Sequence, residues 1–196
     1  MVAVAAVAVI VAVLLSGGTP ARAPGGAGHA VSLAQLPGLQ TGPAPWQPED
    51  ASLPARLAAL QLPPNGNERY HIHAHLAIFV NGQPVTVPAD VGIVPGQLVS
   101  PVHTHDSSGV IHVEAARASG AFTLGAFLDI WGVRFTGTQL GAYANHGTAA
   151  VHVYINGTLV ADPGRHVLRP HDNIVIGYGT PGSFPRTVPF TWPAGL

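Results

Sequence analysis

Apolar and polar positions alternate along YHIHAHLAIFV, residues 70–80, with Ile72, Leu76, Ile78 and Val80 in one phase and His71, His73 and His75 in the other. A two-residue period predicts a strand that turns one face to a core and its histidines to the opposite face. Asn81 and Gly82 follow at once, and the apolar alternation resumes in QPVTVP, which predicts a tight hairpin. VHVYINGTLVA repeats the design around Asn156 and Gly157, and DNIVIGYG reads as a closing strand. Between the hairpins the period changes. FTLGAFLDIWGVRF sets Leu124, Phe127, Leu128 and Trp131 at helical spacing, with Thr123 placed to cap the start and Gly132 to end it. The expected fold is α+β: a mixed β-sheet with one main helix on one face, β-grasp-like, built from two Asn-Gly hairpins.

Upstream the pattern differs. Val2 to Leu15 is an unbroken apolar run of fourteen residues followed by SGGTPARA. The run is shorter than the roughly 20 residues of a membrane span and matches a signal-peptide core, with Ala21, Arg22 and Ala23 as an A-x-A-like cleavage site. No basic residue precedes the run, so an uncleaved anchor stands beside cleavage as a reading. Residues 1–23 are therefore expected to be a signal peptide or N-terminal anchor, and the protein extracytoplasmic, either secreted or attached to the cell membrane. Residues 24–50, rich in Gly, Pro and Ala, read as a linker. Residues 51–66 read as a short helical arm, in which Leu53, Leu57, Leu60 and Leu62 recur at helical spacing, Ser52 can cap, and Pro63 with Pro64 ends the run. The histidine-rich domain is expected over 67–196. In its last stretch Phe184, Phe190 and Trp192 point to packing on that domain, since exposed aromatics would be a liability.

Composition narrows the chemistry. Eight arginines and no lysine against nine acidic residues give a formal charge of −1, which offers nothing to nucleic acid. The chain has no cysteine, and its one methionine is residue 1. Thiolate sites and thioether copper(I) sites are thereby excluded. A bound metal would have to be held by imidazole and carboxylate, donors that suit zinc, copper(II) or nickel.

Imidazole is abundant and clustered. Of eleven histidines, His71, His73 and His75 share one strand phase, His103 and His105 lie in HTHD, and His112 follows in VIHVE. Same-face neighbours on a strand are about 6.5 Å apart, so three in a row would span about 13 Å and would not share one ion. The expected set joins two histidines of the first strand to His103 and His105, with His112 in support. Glu114 shares the phase of His112 and is a possible acid/base group, while Asp106 is placed to orient a ligand imidazole. Other readings compete: a polar, pH-responsive strand face for the clusters, a solvated charge for Glu114, and a turn residue for Asp106 ahead of Ser107, Ser108 and Gly109. His152 lies out of phase with Val151, Val153 and Ile155 and is a reserve ligand. His29 falls in the linker and His166 and His171 in turn-like sequence, where no ligand role is expected, and His146 is left open.

The segments HIHAHLAIFVNG, VHTHDSSGVIHVEA, FTLGAFLDIWGV, VYINGTLV and DNIVIGYG together resemble a group of uncharacterised secreted or membrane-anchored bacterial and archaeal proteins. The resemblance covers roughly residues 68–180, with HTHDSSGVIHVE as its most specific part. It implies that the histidine segments and the helix form one unit, and it carries no established activity. Three function classes follow from the residues. The first is an exported metal-binding protein that captures or buffers zinc or copper(II). The second is a zinc-dependent hydrolase or lyase with three histidine ligands and a carboxylate acid/base, Glu114 or Asp106. The third is a pH-responsive or partner-binding structural module. A closed set of four donors would favour the first, and three ligands beside a free carboxylate the second. The lack of a nucleophile motif or phosphate loop favours capture over catalysis.

Overall fold

The structure is a computed structural model and describes residues 36–196; the apolar N-terminal run, the cleavage site expected after it and His29 lie outside the described residues. The first element is helix α1, Leu53–Leu60. Strands β1 (Tyr70–Val80), β2 (Gln83–Val85), β3 (Ile93–Val94), β4 (Leu98–Val99), β5 (Val102–His103) and β6 (Val110–Ala115) follow, and then helix α2, Leu124–Trp131. After it come β7 (Phe135–Thr136), β8 (Gln139–Leu140), β9 (Tyr143–Ala144), β10 (Ala150–Ile155), β11 (Thr158–Leu159) and β12 (Asn173–Gly179). The architecture is α+β with a mixed sheet.

Seven strands form that sheet in the order β11-β10-β12-β1-β6-β5, with β2 also on β1. The centre is parallel, β1 beside β12 with Leu76 opposite Ile174, and the flanking pairs are antiparallel. β1 and β2 pair through Val80 and Gln83, and β10 and β11 through Ile155 and Thr158. At both corners the two intervening residues have positive φ, 49° and 80° at Asn81-Gly82 and 51° and 81° at Asn156-Gly157. Asparagine tolerates that region and glycine enters it freely, which is why this dipeptide closes a two-residue turn.

One phase of the strands makes the core. Ala74, Leu76 and Ile78 of β1, Ile111 and Val113 of β6, Val153 and Ile155 of β10, and Ile174 and Ile176 of β12 are buried beneath α2. Every residue of α2 is buried, its start capped by Thr123 Oγ1 accepting from the Ala126 amide at 3.1 Å and its end turned by Gly132 at φ 78°. On the opposite phase no helix packs among the described residues. The C-terminal segment covers the β10-β12 half of that second face and the adjoining part of β1: Phe184 packs on Gly177, where a Cβ would lie 2.0 Å from its ring, and Phe190 stacks on His75 of β1 at 3.9 Å. The β1-β6-β5 half carries the histidines.

Residues 36–50 correct the expectation of a linker reaching to residue 50. Leu36 and Trp46 are buried, and Gln40 bridges Val133 just past α2. Trp46 meets Trp131 edge-on at 6.1 Å. Gly141, at φ 55°, leaves room for that indole, since a Cβ there would lie 2.5 Å from the ring. Buried Arg56 of α1 fastens the segment by bonding to Glu49 and to the carbonyls of Pro37 and Ile130. One large apolar side chain outweighs the Gly/Pro-rich composition around it.

Asp129, on α2, is nearly enclosed, and burial pushes its carboxyl up to about 7 against the partial offset of Arg56. Its value in the unfolded chain is 3.8, so below that pH both states are protonated and burial is unopposed. As pH rises from 3.8 to about 7 the unfolded chain ionises first and stability falls; above about 7 the full cost is present. Asp129→Asn should therefore raise the melting temperature clearly at pH 8 and change it little at pH 4, measured by thermal unfolding at both values.

Candidate metal centre

Strand order decides which histidines meet. β6 lies between β1 and β5, so its outward residues His112 and Glu114 are the middle row of the histidine face. In register, His73 and His103 flank His112 on either side, and His71 lies opposite Glu114. His105 is beyond the end of β5, returned to the site by the turn 106–109. Gly109 makes that turn possible, with φ 85° and no space for a side chain, since a Cβ would lie 2.3 Å from the Leu76 carbonyl oxygen.

Among the described residues two groups of side chains could hold a metal ion: His103, His105, His112 and Glu114, and His71, His73 and His112. In the first, His103 Nε2 and His105 Nε2 are 3.2 Å apart. Glu114 Oε1 lies 3.7 Å from His103 Nε2, 3.9 Å from His105 Nε2 and 3.6 Å from His112 Nδ1. Four donors at about 2.0–2.1 Å around a tetrahedral ion are about 3.3 Å from one another. The observed separations are therefore close to those of a coordination sphere.

Three further observations fit a cation. His103 Nδ1 donates to the Ser100 carbonyl oxygen at 2.9 Å, which fixes the tautomer and leaves Nε2 with its lone pair directed into the cluster. His73 Nε2 and His112 Nδ1 are buried with no hydrogen-bond partner among the described residues. Buried polar atoms normally find partners; both rings belong to the candidate groups, and His112 Nδ1 lies 3.6 Å from Glu114 Oε1. Glu114 is buried too; four histidines lie within 4.0 Å of its Oε1, Glu68 is a further close neighbour, and no arginine is in ion-pair range among the described residues. Its Oε2 accepts from Asn65 Nδ2 at 3.3 Å, which turns Oε1 towards the imidazoles.

The electrostatics agree. Burial, joined by repulsion from His105 and other neighbours, lowers His112 to about 3; burial, partly offset by the Ser100 bond, lowers His103 to about 4. His73 is lowered as well, by burial and by His71. These rings are neutral at pH 7, the form that coordinates metal. Burial, followed by the negative charge of Glu68, raises Glu114 above the usual carboxylate range. A dication beside it would replace the missing positive partner.

The remaining expected residues are elsewhere. His75, expected with the first cluster, belongs to neither group and lies beneath Phe190, because the sheet face near it is covered by the C-terminal segment. Asp106 is exposed and its Oδ1 accepts from the Ser108 amide at 2.8 Å, the bond of a turn residue, so it orients no imidazole. His152 shares the histidine face but sits opposite Gly177 on β10, 6.2 Å from the ring of Phe184. His166 pairs with buried Asp172 at 2.7 Å, and His171 stacks on Trp192. Asn65 and Ser100, which orient Glu114 and His103, carry no motif in the sequence; only the folded chain brings them to the site.

No family model, curated protein or solved structure matches the chain. Among the described residues no helix is long and apolar enough to cross a membrane.

Proposed function

We propose that this is an exported metal-binding protein that captures or buffers zinc or copper(II) at the face formed by β5, β6 and β1. The observation that carries this reading is the convergence of His103, His105, His112 and the Glu114 carboxylate, whose donor atoms all lie within 4.8 Å of one another, three of the four residues being buried. Neutral imidazoles with one carboxylate suit zinc and copper(II) among the common divalent ions. Four donors support capture over hydrolysis, because Glu114 lies within the donor set and Asp106 is engaged in its turn. Export rests on the apolar run of residues 2–15, which would deliver the protein to a compartment where metal must be gathered from dilute solution. The sheet, with its first and last strands parallel at the centre, supports a β-grasp-like reading of the fold.

Competition against a chromophoric chelator, with the full chain carrying no histidine tag, tests the proposal. The expected result is tight zinc or copper(II) binding that Glu114→Gln weakens by about 100-fold, while Asp106→Asn leaves it unchanged; even groups that only orient ligands are worth 10–100-fold. Failure of the wild type to compete would reject metal capture and leave a pH-responsive or partner-binding surface.

A further inference from the structure

The flank of β6 opposite His103 and His105 carries donors that a single ion does not use. His71 and His73 project side by side from β1, ring centroids 4.6 Å apart, against Glu114 and His112 across the ladder. His73 is only 6% exposed and its Nε2 has no partner among the described residues. His71 Nε2 lies 3.2 Å from Glu114 Oε1, the same oxygen that faces the first group. With Oε2 held by Asn65, Oε1 faces both His71 and the first group, while His71 and His73 offer donors within 4.8 Å of each other and of His112.

We propose that a second metal ion binds on this flank, held by His71 and His73 with Glu114 Oε1 as the ligand shared by the two ions, and that this position is the exchangeable one. The inference rests on the metal-capture reading of the same face. A neutral imidazole has one free lone pair, so His112 serves one ion only. The first ion takes His103, His105 and His112, and the second is left with two imidazoles and the shared oxygen, its remaining positions filled by water. Ions sharing a ligand in this manner are about 3.5–4 Å apart. Both positions have a solvent-facing ligand, His71 at 42% and His105 at 54% exposed, so the smaller number of protein donors is what makes the second ion the weaker and more exchangeable one. The protein would hold one ion firmly and pass the other on.

Titration of the full, untagged chain with copper(II), followed by electron paramagnetic resonance and by competition, decides the matter. The expected result is two equivalents of unequal affinity, with the signal broadened or reduced as the second equivalent binds because the two ions couple. His73→Ala and His71→Ala should each bind one equivalent, with the tighter affinity kept within a few-fold. His71 is exposed, so its replacement leaves the fold intact, and thermal unfolding of both variants checks this. One equivalent in the wild type, or two in both variants, overturns the second site while the first stands. No binding at all overturns both.

Discussion

Replacing His112 by alanine is expected to lower zinc or copper(II) affinity by more than about 100-fold, the largest loss of any single histidine, given that partners outside the coordination sphere already cost 10–100-fold. His112 is the middle of the face: its ring is 4.6 Å from that of His73, 4.5 Å from His105 and 5.5 Å from His103. It belongs to both groups of potential ligands, whereas His103 and His73 each belong to one. The contrast is His75→Ala, which should leave affinity within about two-fold, since His75 is engaged by Phe190 and not by the cluster. Without metal, His112→Ala should not destabilise the fold strongly, because the wild-type ring is buried with Nδ1 unpartnered. Competition titrations of the two variants measure the first effect and thermal unfolding of the metal-free proteins the second.

The second large effect concerns stability. Trp46→Ala should cost about 3–5 kcal/mol, the range for truncating a fully buried aromatic side chain. Trp46 is 2% exposed, contacts Trp131 and Tyr143 edge-on, and its Nε1 donates to the Gly42 carbonyl at 3.0 Å. Its removal leaves a void between the 36–50 segment and the end of α2, lined by a glycine at 141 that cannot fill it. Urea unfolding would measure the change, and limited proteolysis should show the first new cuts before residue 50. Metal affinity of the folded variant should be unaltered, as Trp46 belongs to the core on the helical side of the sheet.

Much of the fold is legible in the sequence because it is dictated locally. The alternation along β1 separates core from histidine face, Thr123 and Gly132 bound α2, and Leu53 and Leu57 of α1 are both buried. The candidate site is legible only in part. Spacing identifies the histidines that share a strand phase, but the positions of β1, β5 and β6 across the sheet come from long-range pairing. From spacing alone His112 is a supporting ligand and Glu114 a solvated charge or an acid/base group; with β6 between β1 and β5 they become the middle row. His75 has the same phase as His71 and His73, and only the C-terminal segment, more than a hundred residues later, removes it from the cluster. Trp46 is misleading for the opposite reason: its neighbours are Gly and Pro, and its partner Trp131 lies on a distant helix.

The central claim is that His103, His105, His112 and Glu114 form one coordination sphere. X-ray absorption at the zinc edge, on the full, untagged chain loaded with one equivalent, tests it most directly. The account predicts four nitrogen and oxygen donors at about 2.0–2.1 Å with the outer-shell scattering of three imidazoles, reduced by one imidazole in His103→Ala. A first shell of six oxygens without imidazole scattering, or a wild-type spectrum that His103→Ala does not change, would contradict it.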